Sequence, residues 1–209
     1  RLKPGDCCLG IMPNFHGFGL SVCMHTPLTL GCYTILVPKF DAKKFAILFH
    51  KTKPTCVLGV PTLFEALISN RNIKNLDLSN LKYVVSGGDM LSPSLEENIN
   101  AYLKSHKSSA HITQGYGLSE ALAAVCLAFD DVHKTGSIGI PFPSNHVKII
   151  DQSTRKTVEY GTIGEIVINS KALMMGYLND EAETNAALQI HEDGHVWLHT
   201  GDLGYMDKD

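Results

Sequence analysis

Positive charge is nowhere concentrated in this sequence. Its 18 Lys and Arg residues are scattered among 21 Asp and Glu, and a net charge of −3 gives nucleic-acid binding no electrostatic footing. No apolar run reaches the roughly 20 residues needed to cross a bilayer, and no signal-peptide pattern opens the chain, so no integral membrane segment is expected. The 6 cysteines, Cys7, Cys8, Cys23, Cys32, Cys56 and Cys126, lack Cys-x-x-Cys spacing and sit in apolar stretches. Buried free thiols in a reducing, cytoplasmic compartment fit that pattern better than a disulfide framework or a zinc site. Internal repeats and low-complexity tracts are missing too. Arg1 opens the chain without a methionine and Met206 to Asp209 stops in turn-like sequence, so a piece of something larger is expected.

What is present describes an ordinary globular protein. Hydrophobic residues make up 44% and charged residues 19% of 209 positions, enough for one large or two modest domains. Strand-like runs at Asp6–Met12, Tyr33–Val37, Thr55–Val60, Leu81–Ser86 and Ala110–Thr113 alternate with helical patterns. A helix can start within Leu20–Leu30. Others begin at Asp41, with Phe45, Leu48 and Phe49 on one face, at Pro61, and at Ser92-Pro93. This alternation predicts an α/β fold with a mostly parallel sheet flanked by helices. Ligands of such sheets bind beyond the carboxyl ends of the strands, where the turns at His16, Ser86–Asp89 and Gln114–Glu120 fall.

After about Asp131 the character changes. Gly and Pro punctuate Thr135–Pro143, and short β runs follow at Val147–Ile150, Ile163–Ile168 and Val196–Leu198, with one helix near Asp180–Ala187. Residues 1–131 are therefore read as an α/β subdomain and 132–209 as a small β-rich subdomain of distorted-barrel type. His191, His195 and His199 recur every four residues, but Gly194 and the β-like Val196-Trp197-Leu198 break any helix there and argue against zinc.

The chemistry concentrates in Gln114-Gly115-Tyr116-Gly117-Leu118-Ser119-Glu120, expected to form a turn after the Ala110–Thr113 strand. Gly115 and Gly117 permit unusual backbone geometry and close approach of a ligand. Tyr116 offers a flat ring, Ser119 a hydroxyl and Glu120 a hard carboxylate oxygen of the kind magnesium prefers. Together they suggest a nucleotide, although Gly-x-Gly alone is also a common structural turn.

Ser86-Gly87-Gly88, Gln114–Glu120, Gly164-Glu165-Ile166, Gly176-Tyr177 and His199-Thr200-Gly201-Asp202, in this order and spacing, resemble the adenylate-forming superfamily of acyl-CoA synthetases, luciferases and peptide-synthetase adenylation domains. Phe15–Gly19 and Val60–Phe64 are most similar to the acyl-CoA synthetase and luciferase branch. The resemblance implies a carboxylate attacking the α-phosphate of ATP, followed by acyl transfer to a thiol, commonly coenzyme A. It implies that Tyr116 stacks on adenine, that Gly87, Gly88, Asp89 and Gln114 line the base, and that Gly115, Gly117 and Ser119 serve the phosphates. Glu120 would hold Mg2+ and Asp202 the ribose hydroxyls. His16, Phe18, Pro61 and Ala121 would line the acyl pocket, with His16 near the carboxylate; Pro61–Phe64 fits core and pocket wall equally. Ser119 stands where the family usually has threonine.

The family's phosphate loop is expected upstream and its mobile C-terminal domain downstream, and the arginine expected shortly after Asp202 is absent. The chain alone is therefore expected to be inactive. Apolar Ala121–Val125 disfavours a charged amino-acid substrate and favours a fatty or other apolar acid. Two alternatives stay open: acyl transfer to a carrier protein, as in acyl-AMP ligases and peptide synthetases, and a non-catalytic nucleotide-binding module.

Overall fold

The computed structural model describes residues 2–70, 76–129 and 132–208. Its backbone contacts divide into two compact units, Arg1–Ser119 with Ala123–Ile140, and Glu120–Leu122 with Pro141–Asp209. The division falls at Ile140 and Pro141; Asp131, where the sequence changes character, lies outside the described residues.

In the first unit, strands β1 (Cys7–Gly10), β2 (Tyr33–Leu36), β3 (Cys56–Gly59), β4 (Tyr83–Ser86) and β5 (Ile112–Tyr116) lie parallel. With β6 (Cys126–Leu127) and β7 (Ile140–Pro141) they form a seven-stranded sheet in the order β2-β1-β3-β4-β5-β6-β7. A π-helical segment, Phe18–His25, runs into α1 (Thr26–Thr29) before β2. Helices α2 (Ala42–Thr52), α3 (Pro61–Ile68) and α4 (Pro93–Ser105) complete the alternation.

Strand periodicity explains why the sheet is buried on both faces. Leu9, Val57, Val84 and Ile112 point to one side, where Phe45 and Phe49 of α2, Leu63, Phe64 and Leu67 of α3, and Ile99 and Leu103 of α4 pack on them. Phe45, Phe49 and Phe64 are fully buried, each contributing about 1.5–3 kcal/mol by the usual area scaling. Cys8, Cys56 and Leu58 point to the other side, beneath Phe18 and Cys23 of the π-helical segment and beside Cys32. All six thiols are free and buried, as the sequence suggests. Burial pushes Cys23 and Cys126 up to about 12, so neither is a thiolate nucleophile near neutrality.

Local chemistry fixes the helix starts. Pro61 and Pro93 take first-turn positions, and the Ser92 hydroxyl accepts the Leu95 amide at 3.3 Å. Glu96 on α4 is buried, and it anchors the segment before β7 by accepting from His133 Nε2 at 2.8 Å and Thr135 Oγ1 at 3.1 Å.

The fifth parallel strand differs from the expected Ala110–Thr113 run. It starts at Ile112 and continues to Tyr116, because β6 folds back antiparallel and pairs Gly115 with Leu127 and Tyr116 with Cys126. Gln114, Gly115 and Tyr116 are thus strand residues, and the turn begins only at Gly117.

The second unit is a four-stranded antiparallel sheet, ordered β10 (Leu188–Ile190), β11 (Val196–Gly204), β9 (Gly164–Ser170) and β8 (Asn145–Ile150). Ile150, Val167 and Trp197 form its core. The Lys148 ammonium lies 3.8 Å from the Trp197 ring centroid, and Asp193 accepts the indole N–H. Helix α5 (Glu181–Ala187) is capped by Asp180, whose carboxylate accepts the Glu183 amide at 3.0 Å. Here the expected Val196–Leu198 strand is also longer: it runs through His199-Thr200-Gly201-Asp202 to Gly204, with its register shifting between His199 and Leu203.

Candidate nucleotide site

Parallel strands bring their carboxyl ends to one edge, and four signature turns lie there. β1 leads to His16, β3 to Val60-Pro61, β4 to Gly87-Gly88-Asp89 and β5 to Gly117. Phe18 links the turns. A Cβ placed on Gly87 would lie 3.5 Å from both the Phe18 ring and the Gly115 carbonyl oxygen, and one on Gly88 would lie 3.5 Å from Val60. The structure thus brings Phe18, Gly87, Gly88 and Gly115 together. Gly88 has φ +76°, a left-handed conformation that glycine adopts without penalty. Asp89 turns its carboxylate to its neighbour's amide, accepting from Met90 N at 2.7 Å.

The two glycines flanking Tyr116 do different jobs, which the motif alone does not reveal. Neither has a positive φ. A Cβ on Gly115 would meet nothing closer than 3.4 Å, whereas one on Gly117 would sit 1.6 Å from the Ala123 carbonyl oxygen. What approaches Gly117 is the protein's own returning loop. That loop is held by Ala123 N donating to Leu118 O at 2.9 Å and Val125 N to Tyr116 O at 2.8 Å. Leu122 (φ +60°) and Ala123 (φ +92°) sit in the left-handed region, where side chains make the backbone strained. Strain of this kind gathers where a loop is held in one geometry, here directly after Ser119 and Glu120.

Ser119 and Glu120 begin a single 3-10 turn, Ser119–Ala121, with Ser119 exposed and Ala121 buried. Within the second unit, Glu120 Oε1 accepts the Tyr177 hydroxyl at 2.9 Å, and its carbonyl accepts the Met174 amide at 2.7 Å. The adjacent carboxylate holds the Tyr177 phenol above its ordinary value. Tyr177 was visible in the sequence only as part of Gly176-Tyr177, and nothing there links it to Glu120. Its hydroxyl orients one carboxylate oxygen and leaves the other for a ligand, which suits a single-carboxylate Mg2+ site completed by phosphates. Among the described residues no three His, Cys, Asp or Glu side chains form a metal cage.

His16 is exposed rather than a buried core histidine, and its Nδ1 accepts the Phe18 amide at 3.1 Å, which leaves Nε2 to carry the proton. Gln114 and Pro61 are buried, and Tyr116 is half-buried. Asp202 is exposed on the irregular part of β11. His191, His195 and His199 lie on the β10–β11 hairpin instead of a helix, with His191 Nε2 3.0 Å from His199 Nε2.

Ser86 stands just before Gly87, and its hydroxyl is fully buried and takes no hydrogen bond among the described residues. Replacing it by alanine removes a desolvated orphan, so Ser86→Ala is expected to be neutral or to stabilise by up to about 1 kcal/mol. Denaturant melts of the full-length protein check this; a loss above about 1 kcal/mol would mean that the hydroxyl has a partner.

A polar groove at the opposite edge, beyond the amino ends of β3 to β5, is lined by Thr55, Ser79, Lys82, Tyr83 and His111. Its lysine is committed to Asp6 at 2.8 Å, and none of the signature turns reaches it.

Comparison with known proteins bears on this arrangement. Residues 1–178 match the AMP-binding enzyme family. The chain is 36% identical over 202 residues to a long-chain-fatty-acid–CoA ligase of Bacillus subtilis, covering 96% of this chain and 34% of that protein. It is 35% identical over 209 residues to luciferin 4-monooxygenase of Luciola mingrelica, covering 100% and 36%. A crystal structure of a long-chain-fatty-acid-CoA ligase from Archaeoglobus fulgidus superposes with a TM-score of 0.90 at 25% identity, covering 99% of this chain and 42% of that one. The chain spans about a third of the length of the curated relatives it matches.

Proposed function

We propose, because this chain belongs to the AMP-binding enzyme family, that it is the central part of an ATP-dependent acid–thiol ligase. The enzyme adenylates a carboxylic acid and passes the acyl group to coenzyme A. The observation that carries the reading is the placement of Gly87-Gly88-Asp89 and Gln114–Gly117 at neighbouring ends of β4 and β5, the edge where doubly wound sheets bind nucleotides. Tyr116 stacks on adenine, Gly87, Gly88, Asp89 and Gln114 line the base, and Gly115, Gly117 and Ser119 serve the phosphates. Glu120 would hold Mg2+, which would screen phosphate charge. Asp202 accepts hydrogen bonds from the ribose hydroxyls.

His16, with Nε2–H directed away from its own backbone contact, donates to the acyl carboxylate or gates the acyl pocket with Phe18 and Pro61. The apolar run after Glu120 and the likeness to a fatty-acid ligase favour an apolar, fatty-type acid. Free, buried thiols support a cytoplasmic enzyme; among the described residues no helix is long and apolar enough to cross a membrane.

The test is to incubate the full-length protein with ATP, Mg2+, coenzyme A and a panel of acids, and to measure AMP and thioester. Acid-dependent formation of both is expected, with apolar acids preferred. Adenylate that accumulates until a carrier protein is supplied would change the acceptor, and nucleotide binding without turnover would favour a non-catalytic module. The isolated 209-residue chain, a third of its relatives' length, is expected to show no pyrophosphate exchange. Robust exchange by it would overturn that expectation.

A further inference from the structure

The ladder between β9 and β11 is regular up to His199, which faces Val167, and resumes at Leu203, which faces Glu165. Thr200, Gly201 and Asp202 therefore stand opposite Ile166 alone. A bulge of this size takes backbone amides out of the ladder, and each needs another partner. Two side chains supply them. Thr200 Oγ1 donates to the Ile166 carbonyl at 2.7 Å and accepts the Asp202 amide at 3.1 Å. The buried Glu165 accepts the Gly201 amide on Oε1 at 3.1 Å. Gly201 supplies the left-handed turn, with φ +74° and open space around it.

The Glu165 carboxylate is itself held. Its Oε2 lies 3.2 Å from His199 Nδ1, and His199 Nε2 lies 3.0 Å from His191 Nε2. With Glu165 as acceptor, His199 carries its proton on Nδ1, and its Nε2 accepts from His191 Nε2–H. This relay locks Glu165 so that both oxygens are committed inside the unit, neither reaching ligand.

We propose that Glu165 and Thr200 are positioning residues that fix the Asp202 backbone, and with it the carboxylate, in the geometry that holds the ribose hydroxyls of ATP. The inference rests on the ribose role assigned to Asp202 above. Neither side chain touches substrate; both act through the amides of Gly201 and Asp202.

The full-length protein, assayed with ATP and with 2′,3′-dideoxy-ATP, reads this geometry, because the dideoxy nucleotide lacks the hydroxyls in question. Wild type is expected to prefer ATP. Glu165→Ala is expected to lower kcat/KM for ATP roughly tenfold, mostly through KM, with little change for the dideoxy nucleotide, so that the preference collapses. Glu165→Gln keeps it, since its amide oxygen still accepts from Gly201 and its amide nitrogen donates to His199 Nδ1 in the reversed relay. Should Glu165→Ala fail to fold, Thr200→Val, which keeps the side-chain shape and removes the acceptor for the Asp202 amide, carries the same expectation. Retention of the full ATP preference by Glu165→Ala or Thr200→Val, or equal losses for both nucleotides, overturns the proposal. A wild-type protein that turns over both nucleotides equally also overturns it. Absence of any acid-dependent turnover by wild type instead defeats the ligase reading on which it stands.

Discussion

Gly117→Ala is expected to destabilise the protein by 3 kcal/mol or more, by the order of magnitude of severe overpacking and backbone strain, and to cut adenylation at least a hundredfold. The added Cβ would overlap the Ala123 carbonyl at 1.6 Å, a backbone atom that no side-chain rotation can move aside. Relief requires displacing the loop from Leu118 to Ala124, whose bonds to Leu118 O and Tyr116 O hold residues already strained at Leu122 and Ala123. Ser119 and Glu120 ride on that loop, so stability and activity should fall together. Gly115→Ala is the control. Its Cβ would meet the Cys126 carbonyl oxygen and Leu127 Cδ1 at 3.4 Å, an ordinary contact, and the cost should stay near 1 kcal/mol or below. Thermal melts of the two variants check this, and equal destabilisation at both positions would contradict the different packing of the two glycines.

Glu120→Gln is expected to lower kcat/KM at least a hundredfold while leaving the fold intact. The amide oxygen still accepts the Tyr177 hydroxyl, so the contact at 2.9 Å survives; what disappears is the charge proposed to ligate Mg2+. Loss of metal-borne stabilisation worth several kcal/mol corresponds to this range. Raised Mg2+ should recover part of the activity in Glu120→Gln. Tyr177→Phe removes only the orienting hydrogen bond and should cost about tenfold or less. An unchanged Mg2+ dependence in Glu120→Gln would place the metal elsewhere. The Tyr177 phenol, held up by its carboxylate neighbour, should also titrate closer to its ordinary value in Glu120→Gln.

Periodicity made the first unit legible. Short continuous apolar runs at β1 and β3, buried throughout, and Phe45 and Phe49 one helical turn apart leave strong patterns that local chemistry at Ser92, Pro61 and Pro93 punctuates. What stayed hidden depends on pairing between segments distant in sequence. β5 runs on to Tyr116 because Cys126 and Leu127 return beside it, and β11 runs on to Gly204 because β9 continues to pair after the bulge. The candidate site shows the same divide. Its motif residues were readable as chemistry, but the contact of Tyr177 with Glu120 and the bracing of Gly201 by Glu165 span 57 and 36 positions. No local pattern encodes such partners. Gly117 is a further case, since its requirement is set by where Ala123 folds back and not by a positive φ.

The central claim is that the proposed ligase activates its acid as an acyl adenylate. Acid-dependent exchange of labelled pyrophosphate into ATP, measured on the full-length protein with no thiol present, tests it most directly. The account requires exchange that depends on the acid and on Mg2+ and that falls away in Glu120→Gln. Release of ADP and phosphate in place of AMP and pyrophosphate, or exchange indifferent to the acid, would contradict it.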